Sequence, residues 1–368
     1  MKNLLVLVAD YPNNHGNVSL MYVHTRNLYY IKNNLNVTVL NFAAETGYIK
    51  DGIKVITKKE YDNEKAKYDC LILHAANLRN HYSFLKREGN KFDSFIFFYH
   101  GHEVMKINKD YCPPYNYKKV NKINYFIQNV YDYLKLKIWK KYLISVVGKS
   151  EFVFVSNWMK EIFLENTKIN PSLLNEKMHI TYNNVGLEFE NLKYDDSKIK
   201  HFDFVTIRAN IDGSKYCIDI VNRLAKNTPG SKFLVVGKGE FFNHFEKVDN
   251  LIWLNETLSH DEIIEVLNDA KFALMPTRID AQGLMMCEMA AFGIPIITSD
   301  IPVCHEVFDD FINAFYISND DELASLERFL NFDLKYIKDT RFYIENTVKK
   351  EIDIIMNSNS SRRMGKEC

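Results

Sequence analysis

An α/β fold built from two doubly wound domains is predicted by three observations. The chain has 368 residues, its short unbroken apolar runs alternate with helical stretches, and a polar break near residues 186–200 is followed by a second round of the same alternation. At roughly 100–200 residues per domain the length suits two domains. A content of 46% hydrophobic and 14% aromatic residues is enough for two cores and excludes disordered, collagenous and disulfide-scaffold classes.

In the first half, Leu4–Ala9, Val37–Phe42, Cys70–His74, Phe95–Tyr99 and Phe152–Ser156 read as strands, with a helix over Ser19–Lys32. Their continuous hydrophobicity predicts strands covered on both faces, as in a parallel sheet. In the second half, Phe204–Ile207, Phe233–Val236, Leu251–Leu254, Phe272–Met275 and Pro295–Thr298 read as strands. Tyr216–Ala225, His260–Ala270 and Leu284–Phe292 read as helices. The expected organisation is a first domain over 1–185, a linker over 186–200 and a second domain over 201–336. A helix over 337–356 is expected to return to the first domain, followed by a disordered polar tail over 357–368. The carboxyl ends of the two sheets are expected to face each other across a cleft, where doubly wound sheets bind ligands.

Lys and Arg total 47 against 47 Asp and Glu, a balance that argues against a nucleic-acid binder. The six cysteines form no CxxC pair, which fits a reducing, cytoplasmic setting and gives no zinc or redox motif. No apolar run approaches the roughly 18 residues of a membrane span, and Asp10 interrupts the N-terminal run too early for an export signal. Gly148-Lys149-Ser150 mimics the end of a P-loop, but Leu143 stands where that motif needs glycine. Asp10–Asn17 holds a single glycine, Gly16, where a dinucleotide fold needs three.

The informative stretch runs from Pro276 to Ile297. It places Asp280 on a loop after a strand, Gly283 at a helix start and Glu288 inside that helix. Amides near Gly283, Leu284 and Met285 are expected to be free donors for an anion such as a diphosphate. The two acids suit hydroxyls rather than phosphate, because like charges repel. This segment, an acid and seven residues later a Glu, then a small-residue helix ending in Gly-x-Pro, resembles the signature of the family 4 retaining glycosyltransferases of the GT-B fold. The resemblance implies two Rossmann-like domains, with Asp280 on the donor sugar and Glu288 on the ribose. The family's first acid is usually Glu, so Asp280 shortens the reach.

Other positions fall in the same order. Arg208 at a strand end, followed by Lys215, resembles the family's cation pair on the diphosphate, with Ile207 where a glycine is usual. Gly237-Lys238-Gly239 resembles its next turn, and Glu256-Thr257 falls where the base is contacted. In the first half Gly16 resembles part of a glycine-rich loop facing the phosphates. His100-Gly101-His102-Glu103 resembles a strand-end element whose first His lies near the reacting sugar, with His74 ending the preceding strand. The resemblance implies a hexosyl transfer with retention from a nucleotide-sugar, UDP-linked in preference to GDP-linked, to a glycan or lipid-linked acceptor. Arg208 and Lys215 would take the place of a metal, and no cofactor is implied. A GT-B sugar-nucleotide epimerase or a non-catalytic GT-B subunit is the alternative.

The segment Lys106–Lys149 contains ten lysines and two acids, a net of +8, interleaved with aromatic residues. It reads either as a surface for an anionic membrane at the cytoplasmic face or as a solvated helix whose aromatics face the core.

Overall fold

The computed structural model describes residues 1–17, 19–64 and 66–358. It divides into two compact units. Unit 1 comprises residues 1–107, 127–184 and the C-terminal stretch from Ile344; unit 2 comprises 108–126 and 185–343.

Unit 1 is built on eight strands: β1 (Asn3–Val8), β2 (Asn36–Asn41), β3 (Tyr48–Lys50), β4 (Ile53–Ile56), β5 (Cys70–His74), β6 (Ser94–Tyr99), β7 (Ser150–Phe154) and β8 (Met178–Ile180). Their order in the sheet is β3-β4-β2-β1-β5-β6-β7-β8. Only the β3/β4 pair is antiparallel. β1 lies at the centre, with Leu4 opposite Val37 on one side and Cys70 on the other. Leu4 through Val8 are fully buried, as a strand covered on both faces requires.

Unit 2 has six strands: β9 (Phe202–Asn210), β10 (Phe233–Lys238), β11 (Leu251–Leu254), β12 (Ala270–Leu274), β13 (Ile296–Ser299) and β14 (Ala314–Ile317). They are all parallel, in the order β11-β10-β9-β12-β13-β14. The helix Ile218–Asn227 follows β9 and turns Ile218, Ile220, Val221, Leu224 and Ala225 into the core. The helix Leu284–Phe292 follows β12 and is buried from Met286 onward.

Three features depart from the expected organisation. The stretch 186–200 is not a bare linker: it forms a helix over Leu187–Asn191, and Phe189 and Tyr194 are buried in unit 2. Two aromatic anchors in a polar sequence are enough to dock it. Residues 108–126, expected in the first domain, group with unit 2. There Tyr115 joins the core beside Ile218 and Phe241, and its hydroxyl donates to Asp219 at 2.9 Å.

The C-terminal helix runs over Ile344–Asn357, and residues 337–343 pack in unit 2 with Phe342 fully buried. The helix itself groups with unit 1. It is fixed there by a fully buried ion pair between Arg26 and Glu351 at 3.0 Å, and Tyr30 donates its hydroxyl to the same carboxylate. Residues 359–368, most of the expected tail, lie outside the described residues. Lys149 of the P-loop mimic donates to the carbonyls of Gly89 and Phe92, a structural use of the cation.

Candidate functional site

In unit 2 the chemistry collects where β9 and β12 end. Arg208 lies near the end of β9 and is 6% exposed. Its guanidinium donates to the Pro276 carbonyl at 2.8 Å, while its Nε is buried with no partner. Burial lowers its pKa and the nearby Asp280 carboxylate opposes that shift. A guanidinium stays charged in proteins, so a buried donor on a cation is left open.

Lys215 sits in the turn Ser214–Tyr216. The Tyr216 ring brings the two cations together: the Arg208 guanidinium is 5.0 Å from its centroid and the Lys215 ammonium 4.7 Å. The Lys215 carbonyl accepts from the Arg278 amide and the Thr277 hydroxyl. The turn carrying Lys215 is therefore stitched to the loop carrying Asp280. Arg278 reinforces the junction with paired bonds to Asp219 at 3.0 and 2.5 Å and a bond to the Ser214 carbonyl. Neither Arg278 nor Asp219 was among the expected site residues.

Asp280 departs from expectation in one respect. Its Oδ1 accepts from the amides of Ala281, Gln282 and Gly283 at 2.8, 3.3 and 3.0 Å. The Gly283 amide is thus already used, because a short Asp side chain folds back onto its own turn. Gly283 itself has φ +77°, a left-handed conformation that glycine adopts without strain. The helix it begins receives no side-chain cap, so the first-turn amides of Leu284 and Met285, both half-buried, have no capping side chain to accept from them.

Glu288 lies one turn further along that helix and is 6% exposed. Burial raises its pKa to about 7, opposed by His260 and by a hydrogen bond from the Gly186 amide. Gly237 serves packing: a Cβ there would lie 2.3 Å from the Arg208 carbonyl, so a side chain would displace the end of β9. Glu256 and Thr257 are exposed on the loop after β11, with β10 and β9 intervening before β12. The structure does not join them to the cluster.

In unit 1, His74 and His100 end β5 and follow β6, and their rings share a hydrogen bond of 3.1 Å. His74 stacks on Phe98 and His100 packs against Tyr22, with ring centroids 4.3 and 4.9 Å apart. Burial, then the positive charge of Arg26, pushes the His100 pKa down to about 3; burial and the neighbouring His100 push His74 well down too. Both are neutral at ordinary pH. Glu103 accepts from the His100 and Gly101 amides at 3.0 and 2.7 Å and so shapes the loop. Gly16 lies in the exposed loop after β1, which Asn13 and Asp10 brace through the Asn17 backbone and side chain.

Residues 204–331 match the family model described as Glycosyl transferases group 1. The O-antigen biosynthesis glycosyltransferase WclY of Escherichia coli is 32% identical over 84 residues, 23% of this chain and 22% of that protein. The O-antigen chain mannosyltransferase RfbU of Salmonella typhimurium is 26% identical over 205 residues, 54% of this chain and 53% of that protein. The chain thus spans between about a fifth and about half of the length of these curated relatives. Among solved structures, a glycosyltransferase from Rickettsia africae superposes with a TM-score of 0.66 at 15% identity, covering 97% of this chain and 98% of that one. The Anabaena HepE structure in complex with UDP and glucose superposes with a TM-score of 0.61 at 11% identity, covering 100% of both chains.

Proposed function

We infer that this chain, whose fold is GT-B and whose residues 204–331 match the group 1 glycosyltransferase model, is a glycosyltransferase. From that premise we propose that the protein is a retaining glycosyltransferase that moves a sugar from a nucleoside diphosphate sugar to a hydroxyl of a surface polysaccharide or glycolipid precursor. The observation that carries the reading is the open Nε of buried Arg208, set with Lys215 around one aromatic ring beside a loop and an uncapped helix start. A buried cation that makes no ion pair among the described residues and keeps a spare donor calls for an anion. The O-antigen relatives support a polysaccharide product. The UDP bound by Anabaena HepE supports a UDP-linked donor, with GDP as the alternative.

The leaving diphosphate gains negative charge as the glycosidic bond breaks, so donors aimed at it act more strongly in the transition state than in the ground state. Arg208, Lys215 and the amides of Leu284 and Met285 take that role. Asp280 holds the turn with Oδ1 and offers Oδ2 to a donor-sugar hydroxyl. Glu288 accepts from the ribose. Charge neutralisation by the two cations supports turnover without a metal.

The test is an assay of nucleotide release from UDP- and GDP-sugars with and without a polysaccharide-precursor acceptor, with the anomeric configuration of the product read by NMR. Acceptor-dependent release, an unchanged anomer and indifference to EDTA are expected. Interconversion of the sugar nucleotide without acceptor would identify an epimerase, an inverted product would refute retention, and activity lost to EDTA and restored by Mg²⁺ would refute metal independence.

A further inference from the structure

The helix Lys122–Val146 carries two apolar stripes on opposite sides. One is buried and consists of Leu136, Trp139 and Leu143, with the Asp132–Lys135 ion pair among them. The other consists of Ile123, Phe126, Ile127, Val130 and Leu134, spaced i, i+3, i+4, i+7 and i+11, which is one face of a helix. All five are exposed, at 68, 68, 57, 43 and 47%. Tyr131 and Tyr133 flank them on either side, also exposed. At 1.5 Å per residue the stripe is about 17 Å long. A globular helix normally turns its apolar stripe inward. This one has already done so with its other face, so the outer stripe marks an interaction surface.

The charges indicate what covers it. Lys137 and Lys141 continue the stripe by the same spacing and are exposed, and Lys122 precedes it. The helix's single carboxylate, Asp132, is buried against Lys135, so its outward face presents lysines and no acid. A second copy of the chain would set these lysines against one another. An anionic bilayer complements both parts: apolar side chains enter the acyl boundary, tyrosines lie at headgroup level and lysines reach the phosphates. Among the described residues no helix is long and apolar enough to cross a membrane. We propose that the outward stripe of this helix seats the protein in the plane of an anionic lipid surface. Of the two expected fates of the aromatics, the structure divides them: Trp139 turns to the core, while Phe126, Tyr131 and Tyr133 turn outward.

The test is sedimentation of the full chain with vesicles of three parts phosphatidylcholine to one part phosphatidylglycerol, against phosphatidylcholine alone. Wild type is expected to bind the anionic vesicles about tenfold better, with binding falling as salt rises. The combined Phe126→Ser, Ile127→Ser and Val130→Ser variant should lose about tenfold or more, and Lys137→Glu with Lys141→Glu should lose the anionic preference. All five positions are exposed, so melting temperatures should match wild type. Wild type left in the supernatant, or a serine variant that binds as wild type, overturns the proposal. So does a dimer, seen by light scattering, that the serine variant dissolves while no vesicle binding occurs. Nucleotide affinity is read in the same variants and is expected to be unchanged, which separates failure of docking from failure of the transferase reading.

Discussion

At the strand ends of unit 1, His74 and His100 meet as neutral rings beside Tyr22 and Phe98, whereas at the strand ends of unit 2 the buried groups are a guanidinium and a carboxylate. The same force acts on both, since burial penalises charge. The outcome differs because the side chains differ in what they can give up. A histidine sheds its proton, and His100 is held neutral down to about pH 3. Arg208 cannot shed its proton, so its cost is offset by whatever anion it meets. Glu288 stands between them, poised to titrate at about 7. On the proposed mechanism, charge stabilisation belongs to unit 2 and neutral hydrogen bonding to unit 1.

The largest effect should come from the cations. Arg208→Ala is expected to lower kcat by about 100- to 1000-fold, the loss typical of removing a donor aimed at developing charge. Lys215→Ala is the cleaner probe. The backbone carbonyl of Lys215, not its side chain, holds the loop through Arg278 and Thr277. Its melting temperature should therefore stay near wild type while kcat falls. If single-turnover rates of both variants equal wild type, charge stabilisation does not reside in unit 2.

Glu288 sharpens the comparison through pH. Its ionised form accepts two hydroxyl hydrogen bonds, and its protonated form has a proton in the way. Nucleotide affinity should rise as pH increases through about 7 and level off above it. Glu288→Gln should give a flat profile, weaker by roughly 10- to 100-fold at pH 8, from the loss of hydrogen bonds to a charged group. Stability should move the other way. The folded pKa lies above the unfolded one, so ionisation penalises the folded state; the penalty is absent below about 4.5 and complete above about 7. Glu288→Gln should therefore melt with wild type at pH 4 and above it at pH 8, by up to about 3 kcal/mol. Titration calorimetry and thermal melts read the two opposite trends. A wild-type affinity that is flat from pH 5 to 9 contradicts the assignment.

The parts of this arrangement visible in the sequence are those with local causes. Parallel strands buried on both faces leave unbroken apolar runs, so β1 and β5 are legible almost to the residue. The edge pieces β3 and β8 are three residues long and only partly buried, and leave no such run. At the site, Asp280 and Glu288 are legible because a strand, a loop and a helix hold them at a fixed spacing. The Asp219–Arg278 pair joins positions 59 residues apart and has no local trace. The docking of Tyr115 on Asp219, across 104 residues, is equally tertiary. Asp280 gave the opposite difficulty, since its residue type and position point to a ligand while half of its carboxylate is taken up by its own turn.

The smallest effect, and the one that tests unit 1, concerns His100. A ring held neutral to about pH 3 offers one donor and one acceptor and is no general acid at physiological pH. His100→Gln keeps a donor and an acceptor and loses only shape and the ring packing against Tyr22. The expected cost is about 3- to 10-fold in kcat, the size of one neutral hydrogen bond, and equal at every pH from 5 to 8. Arg26 reinforces this outcome, because its charge opposes protonation of the ring and is itself fixed by Glu351. The inflection near 7 in nucleotide affinity should persist in His100→Gln and vanish in Glu288→Gln. A pH–rate profile that instead loses an inflection when His100 is replaced would make the histidine a proton carrier, and the division between a neutral unit and a charged one would fail.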